Sequence, residues 1–287
     1  MDTPVMYGDS VFFCQDNAGS SREVFGIGLF SDTETQLTDD AISNADPIGG
    51  EDYVIYSYSS SATSEYGLRA YDLVSGIETT LVDGYMMYTH EFDGTKWVAM
   101  IYCPGGVSDC RLFKYDFENT ASGSQEMYAT PLDHMSMSFE KQSHTLVGGF
   151  YISGVTNGYD LMAWNMETNA YTILVGDIYD QGLPDADGHI VGYVDSQASG
   201  MGWWTTQEAE VKIIDLDTHT VRTVLPLSVY YGLGIWSHYL AVNNVGAWGD
   251  AILVCDLEVM GFVDAEGHVC PESGCAEADA GVVDGGK

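Results

Sequence analysis

Positive charge is what this chain has least of. Its 287 residues carry 9 Lys and Arg against 43 Asp and Glu, a formal net charge of −34. Such a field repels phosphate backbones and anionic headgroups, so nucleic acid and anionic membrane surfaces are excluded as partners. It suits cations, basic partners or plain solubility. Long apolar runs are missing as well, so no membrane insertion is expected. No signal peptide is visible, and an exported chain would already have lost its leader. There is no G-x-S-x-G elbow, no phosphate-binding P-loop, no dinucleotide fingerprint and no basic stripe. There are few long helix-forming stretches. What remains is 33 Gly, 19 Tyr and a 45% hydrophobic composition, which together favour an all-β chain with a sizeable core.

Six cysteines are present: Cys14, Cys103, Cys110, Cys255, Cys270 and Cys275. Their even number and short-spaced pairs suggest disulfides and an oxidising compartment. Cys103 and Cys110 would close the mouth of one hairpin, and Cys270 and Cys275 bracket Pro-Glu-Ser-Gly. Cys14 and Cys255 would come close if the chain closes on itself; buried thiols are the alternative. Zinc fits poorly, because C-x6-C and C-x4-C come without a matching His pair.

Leu68–Thr80 reads L-R-A-Y-D-L-V-S-G-I-E-T-T, a strand, a tight turn and a second strand. The unit returns at Leu112–Phe117, Leu161–Met166, Val211–Leu216 and Ile252–Leu257, with a weaker copy at Ile27–Asp32. Its anchor residues, Asp32, Asp72, Asp116, Asn165, Asp215 and Asp256, are separated by steps of 40, 44, 49, 50 and 41 residues. Six units of that period, with four strands in each, predict a six-bladed β-propeller of four-stranded antiparallel blades. A single twisted sheet would leave two faces bare, and packing units in a ring covers them. The clearest strands are the second of each unit: Ser10–Cys14, Tyr53–Tyr58, Trp97–Tyr102, Thr145–Tyr151, Ile190–Val194 and Tyr239–Val242. Each anchor side chain is expected to bond backbone N–H groups of the turn that follows it.

The motifs resemble the TolB-like six-bladed propeller group, whose units carry a P-D-G-type turn, an apolar strand and an I-Y-x-x-D-L-x-T-G hairpin. Phe92–Gly94, Pro184–Gly188, Leu68–Gly76 and Val211–Thr218 match best. The pattern departs at Asn165, at Glu140–Ser143 in place of Asp-Gly, and in a truncated first unit. The resemblance covers nearly all of residues 4–270 and implies one propeller over residues 1–270; residues 271–287 are acidic and Gly/Ala-rich with nothing to pack, and read as a tail or linker. The resemblance says little of function, because this fold hosts enzymes, receptors and scaffolds.

In such a ring, the loops between blades and those between the second and third strands emerge at one face around the channel mouth. That face collects Tyr85, Tyr88, His90, His134, Tyr179, Tyr230, Trp203, Trp204 and Trp248 as candidate ligand-binding residues. Adjacent Trp203 and Trp204 in a Gly/Ser-rich loop suggest a stacking platform for a sugar ring or an apolar side chain. One of the two could instead be buried. Trp236, in a short strand near the channel, is expected in the core. His90 and His134, with Glu91, Asp180 and Asp187 nearby, could bind a metal or act as an acid–base pair; water-bonded channel histidines are the plainer reading. Asp185 and Asp187 in D-A-D-G resemble the opening of a calcium loop, but the remaining ligands are out of place, and a turn accounts for them as well. No cofactor is required beyond calcium on that reading.

The leading expectation is a non-enzymatic, exported module, extracellular, cell-surface or periplasmic, that binds a protein or a glycan through its loop face. The alternative is a polysaccharide lyase or glycoside hydrolase using His and acidic residues at the channel mouth. A third reading makes the chain one module of a larger surface protein or assembly.

Overall fold

The computed structural model describes residues 4–16, 21–30, 33–40, 42–60, 65–84, 86–103, 109–128, 132–152, 154–156, 158–176, 180–196, 209–228, 230–246 and 249–273. The chain folds as a six-bladed β-propeller. Blade 1 contains β1 (Val5–Tyr7), β2 (Ser10–Asp16), β3 (Arg22–Gly28) and β4 (Glu34–Gln36). Blade 2 contains β5 (Ser43–Gly49), β6 (Tyr53–Ser60), β7 (Glu65–Asp72) and β8 (Glu78–Asp83). Blade 3 contains β9 (Met86–Phe92), β10 (Trp97–Cys103), β11 (Arg111–Asp116) and β12 (Gln125–Glu126). Blade 4 contains β13 (Leu132–Glu140), β14 (Thr145–Ile152), β15 (Asp160–Asn165) and β16 (Tyr171–Val175). Blade 5 contains β17 (Asp180–Asp187), β18 (Ile190–Ser196), β19 (Ala209–Asp215) and β20 (Val221–Ser228). Blade 6 contains β21 (Tyr230–Trp236), β22 (Tyr239–Gly246) and β23 (Gly249–Asp256). Every sheet is an antiparallel meander in chain order. The sixth departs from the expected plan, having three strands among the described residues where the others have four.

Alternation explains the packing. All seven residues of β10, W-V-A-M-I-Y-C, are buried. Trp97, Ala99, Ile101 and Cys103 face blade 4, while Val98, Met100 and Tyr102 face blade 2. A strand with two apolar faces is the answer to a sheet on each side, and each fully buried large side chain contributes about 1.5–3 kcal/mol. The same logic gives one apolar cluster between each pair of successive blades, from blades 1 and 2 to blades 5 and 6. Close approach leaves no room for a side chain at Gly149 of β14, where a Cβ would lie 2.2 Å from the Gln181 carbonyl oxygen of blade 5.

The turn anchors behave as the sequence predicts. Oδ1 of Asp72 accepts from the N–H groups of Val74 and Ser75, and Oδ1 of Asp215 from those of Asp217 and Thr218. Asp116 accepts from Glu118, and Asp256 from Val259. Asn165 accepts from Thr168 through the same oxygen, so the Asp-to-Asn departure loses nothing here. Four residues after the anchors Asp72, Asn165 and Asp215, the backbone enters the left-handed region at Gly76, Asn169 and His219, with φ of 69°, 60° and 58°. Asp32 lies outside the described residues.

Cys103 and Cys110 form a disulfide that ties β10 to β11. Cys270 is disulfide-bonded, and Cys275 lies outside the described residues. The expected proximity of Cys14 and Cys255 is not found: both are buried thiols. Strand parity is the reason. Cys14 shares a face with Phe12 and packs against Val54 and Tyr56 of blade 2, whereas Cys255 packs into the cluster shared with blade 5. Each points away from the other's blade.

After β23 the chain turns back beneath blade 5. Leu257, Val263 and Val269 join the cluster between blades 5 and 6. Arg222 of β20 lies over the Phe262 ring at 4.8 Å and donates to the Cys270 and Pro271 carbonyls.

Candidate functional site

The first strand of each blade lines the axis. A cavity of about 260 Å³ is bounded by Tyr7 of β1, Ile48 of β5, Glu91 of β9, Ser138 of β13, Asp185 of β17 and Ile235 of β21, among others. β5, β9, β13, β17 and β21 each carry a register shift against their neighbours. Such bulges re-aim side chains near a ring axis.

Two carboxylates meet this cavity. Burial, reinforced by the charge of Asp185, pushes the Glu91 carboxyl up to about 8, against the pull of Lys141. Glu91 is therefore protonated at neutral pH. Burial also raises the Asp185 carboxyl, opposed by its hydrogen bonds. Ser138 donates to Asp185 Oδ1 at 2.7 Å and the Ile235 N–H to Oδ2 at 2.8 Å, so this side chain joins the inner strands of blades 4, 5 and 6. Asp187 Oδ2 accepts the Ser237 N–H at 2.5 Å. The two candidate calcium ligands thus sit on one face of β17, each engaged by the next blade.

His90 is buried, 6% exposed. Its Nε2–H donates to the Asp46 carbonyl of blade 2 at 2.9 Å, and burial lowers its pKa to about 4, leaving it neutral. Tyr88, His134 and Tyr230 belong to the inner strands β9, β13 and β21, ahead of or at their register shifts. Tyr85, Tyr179, Trp203, Trp204 and Trp248 lie outside the described residues. Asp180 is buried at the start of β17, where Oδ1 accepts the Tyr159 N–H.

The end of the ring where the first strand of each blade turns into the second carries a set of residues that the sequence motifs did not mark. His144, His189 and His238 each stand immediately before the second strand of blades 4, 5 and 6. Each pairs with a carboxylate: His144 Nδ1 with Asp93 Oδ2 at 2.6 Å, His189 Nδ1 with Asp217 Oδ2 at 2.7 Å, and His238 Nε2 with Asp256 Oδ2 at 4.0 Å. His268, from the segment after β23, binds Asp215 Oδ2 through Nδ1 at 3.0 Å, and its ring lies 4.3 Å from that of His189. The missed signal was periodic: histidine recurs at one repeat position, with steps of 45 and 49 residues.

The third feature is an apolar face. In blade 6, Leu233, Ile235, Leu240, Val242 and Cys255 face blade 5. The register places Trp236, Tyr239, Ala241, Ile252 and Val254 on the other side. Trp236, Ile252 and Val254 are 74%, 75% and 66% exposed, and Trp236 stacks on Tyr239 at 6.3 Å between centroids. The expectation that Trp236 is a core residue is thereby corrected: its position on β21 has the parity of the face turned away from blade 5. Met6, on the first strand of blade 1, is exposed as well. Among the described residues, no apolar cluster joins blades 6 and 1.

No family model and no curated protein matches the chain. Solved structures do. A prolyl endopeptidase is similar over 94% of this chain and 41% of its own, with a TM-score of 0.66 at 14% identity. An oligogalacturonate lyase in complex with manganese is similar over 88% of this chain and 72% of its own, with a TM-score of 0.65 at 12% identity. TolB from Acinetobacter baumannii is similar over 87% of this chain and 62% of its own, with a TM-score of 0.55 at 12% identity. The chain resembles TolB-like propellers. At such identities the likeness establishes the fold alone, and the chain spans less than half the length of the endopeptidase.

Proposed function

We propose that the chain is an exported, non-enzymatic propeller that binds a protein partner. The observation that carries this reading is the outer face of blade 6. Trp236, Tyr239, Ile252 and Val254 form a contiguous apolar surface on a chain of formal net charge −34. Surfaces of that kind mark interaction sites, and Trp and Tyr are the side chains that most often anchor them. The Cys103–Cys110 disulfide supports an oxidising, exported setting. Trp203, Trp204 and Trp248, which the sequence pattern assigns to the loop face, would provide a second contact zone for a protein or a glycan. Affinity capture from the native exported fraction, run in parallel with a glycan array, tests the reading. Trp236→Ser/Val254→Ser should lose the protein captured by the wild type. An unchanged capture profile removes the blade 6 face from the argument, and glycan binding without protein capture would favour a sugar ligand.

One observation favours the enzymatic alternative, a lyase or glycosidase. Glu91, kept protonated beside Asp185, is the kind of carboxyl pair whose split acidities serve acid–base chemistry. Turnover of a polysaccharide by the wild type, abolished by Glu91→Gln, would establish it.

A further inference from the structure

We infer that the base of blade 5 is a binding site for a late first-row divalent transition ion, built from His189, Asp217 and His268. It is the one place among the described residues where three such side chains bring donor atoms within 4.8 Å of one another. Two imidazoles and one carboxylate are a donor set suited to zinc and its neighbours, while calcium and magnesium prefer oxygen alone. This site rests on nothing in the reading of the blade 6 face.

Each ligand is brought by a different turn. His189 ends the turn between β17 and β18, Asp217 lies in the turn between β19 and β20, and His268 comes from the chain beyond β23. His189 Nδ1 and Asp217 Oδ2 face each other at 2.7 Å. An ion would take the place of the proton they share. His268 is held at Nδ1 by Asp215, leaving Nε2 as its donor. Asp215 is fully buried, and the Val269 N–H and the turn amides of Asp217 and Thr218 fix its orientation. A buried carboxylate that fixes the tautomer and direction of an imidazole is the usual outer partner of a metal-binding histidine. Here it also belongs to the turn that presents Asp217, so one residue positions two of the three ligands.

The site is open on both sides. A depression of about 450 Å³ bounded by His189, Asp217 and His219 lies on one side, and a second, bounded by His189, His238 and Asp264, lies on the other. Tetrahedral zinc needs donors about 3.3 Å apart. His189 and Asp217 are exposed and can turn to close the remaining gap, while His268 stays anchored. Three protein ligands leave a fourth position for water or for a side chain of a bound partner. Because His268 belongs to the segment after β23, the ion would also staple the end of the propeller to blade 5.

Zinc titration by calorimetry on the untagged full chain, in the presence of excess calcium and magnesium, tests the assignment. The expected result is one zinc per chain, with affinity reduced more than about tenfold by His189→Ala, an exposed change that leaves the fold intact by circular dichroism. Asp217→Asn should weaken zinc as well, and His238→Gln should not. Cobalt should give the visible absorption of a nitrogen-ligated ion in the wild type and lose it in His189→Ala. Zinc should slow proteolysis beyond residue 257 in the wild type alone. The inference is overturned if His189→Ala binds zinc as tightly as the wild type, or if calcium displaces zinc at equal concentration, since either result describes diffuse binding to an acidic surface.

Discussion

The interface between blades 3 and 4 and the outer face of blade 6 are made by the same strand plan and end differently. In β10 the odd positions meet blade 4 and the even ones meet blade 2, so every side chain is buried. In β23, Cys255 meets blade 5 while Ile252 and Val254 stand in solvent. Both sheets carry apolar residues on both faces. What differs is whether a neighbouring blade covers the second face. A repeat chain therefore specifies its interfaces in pairs, and a face left over at the seam is available to something other than the chain's own next sheet.

The largest effect is expected where both faces are covered. Trp164 is fully buried between blades 3 and 4, and Trp164→Ala should lower unfolding free energy by about 3–5 kcal/mol in a denaturant titration. Next comes Asp215, whose two oxygens hold a turn on one side and the chain end on the other. Asp215→Ala should cost about 2–3 kcal/mol and expose the segment after residue 257 to protease. Asp72→Ala, which removes turn bonds alone, should cost less and leave proteolysis unchanged.

A third effect is read along the pH axis. The Glu91 carboxyl is raised from its ordinary 4.5 to about 8. The folded chain then binds a proton that the unfolded chain releases, so this group's stabilisation is complete below about pH 4.5 and is lost as pH rises through 8. Melting temperatures taken between pH 5 and 8 should fall less steeply in Glu91→Gln than in the wild type; parallel slopes would show that Glu91 titrates normally. The smallest effect belongs to the uncovered face, where Val254→Ser should change stability by no more than about 0.5 kcal/mol in the same denaturant titration.

Much of the ring was legible because its determinants are local. In blades 2 to 6 an anchoring Asp or Asn accepts backbone N–H groups two or three residues ahead, so the period could be read residue by residue. The second strands could be read from their apolar runs for the same reason. The seam was not legible. Whether Trp236 is core or surface depends on which side of the sheet its register selects and on whether a sixth interface is filled. Neither is contained in a stretch of seven residues. Cys14 and Cys255 mislead in the same way: nearness of chain ends was inferred without the parity that turns them apart. At the base, the histidines before β14, β18 and β22 had a visible period, but His268 enters from outside the repeat, and only folding brings it to His189.

The central claim, that one face of blade 6 is covered and the other is not, can be measured on neighbouring residues of one strand. Val254→Cys places a thiol on the outer face, next to the native thiol of Cys255 on the inner one. Under native conditions a maleimide should label residue 254 within the time taken by a free exposed thiol, while Cys255 reacts only on unfolding. Equal, slow labelling of both would mean that the outer face is covered in solution and would contradict the account.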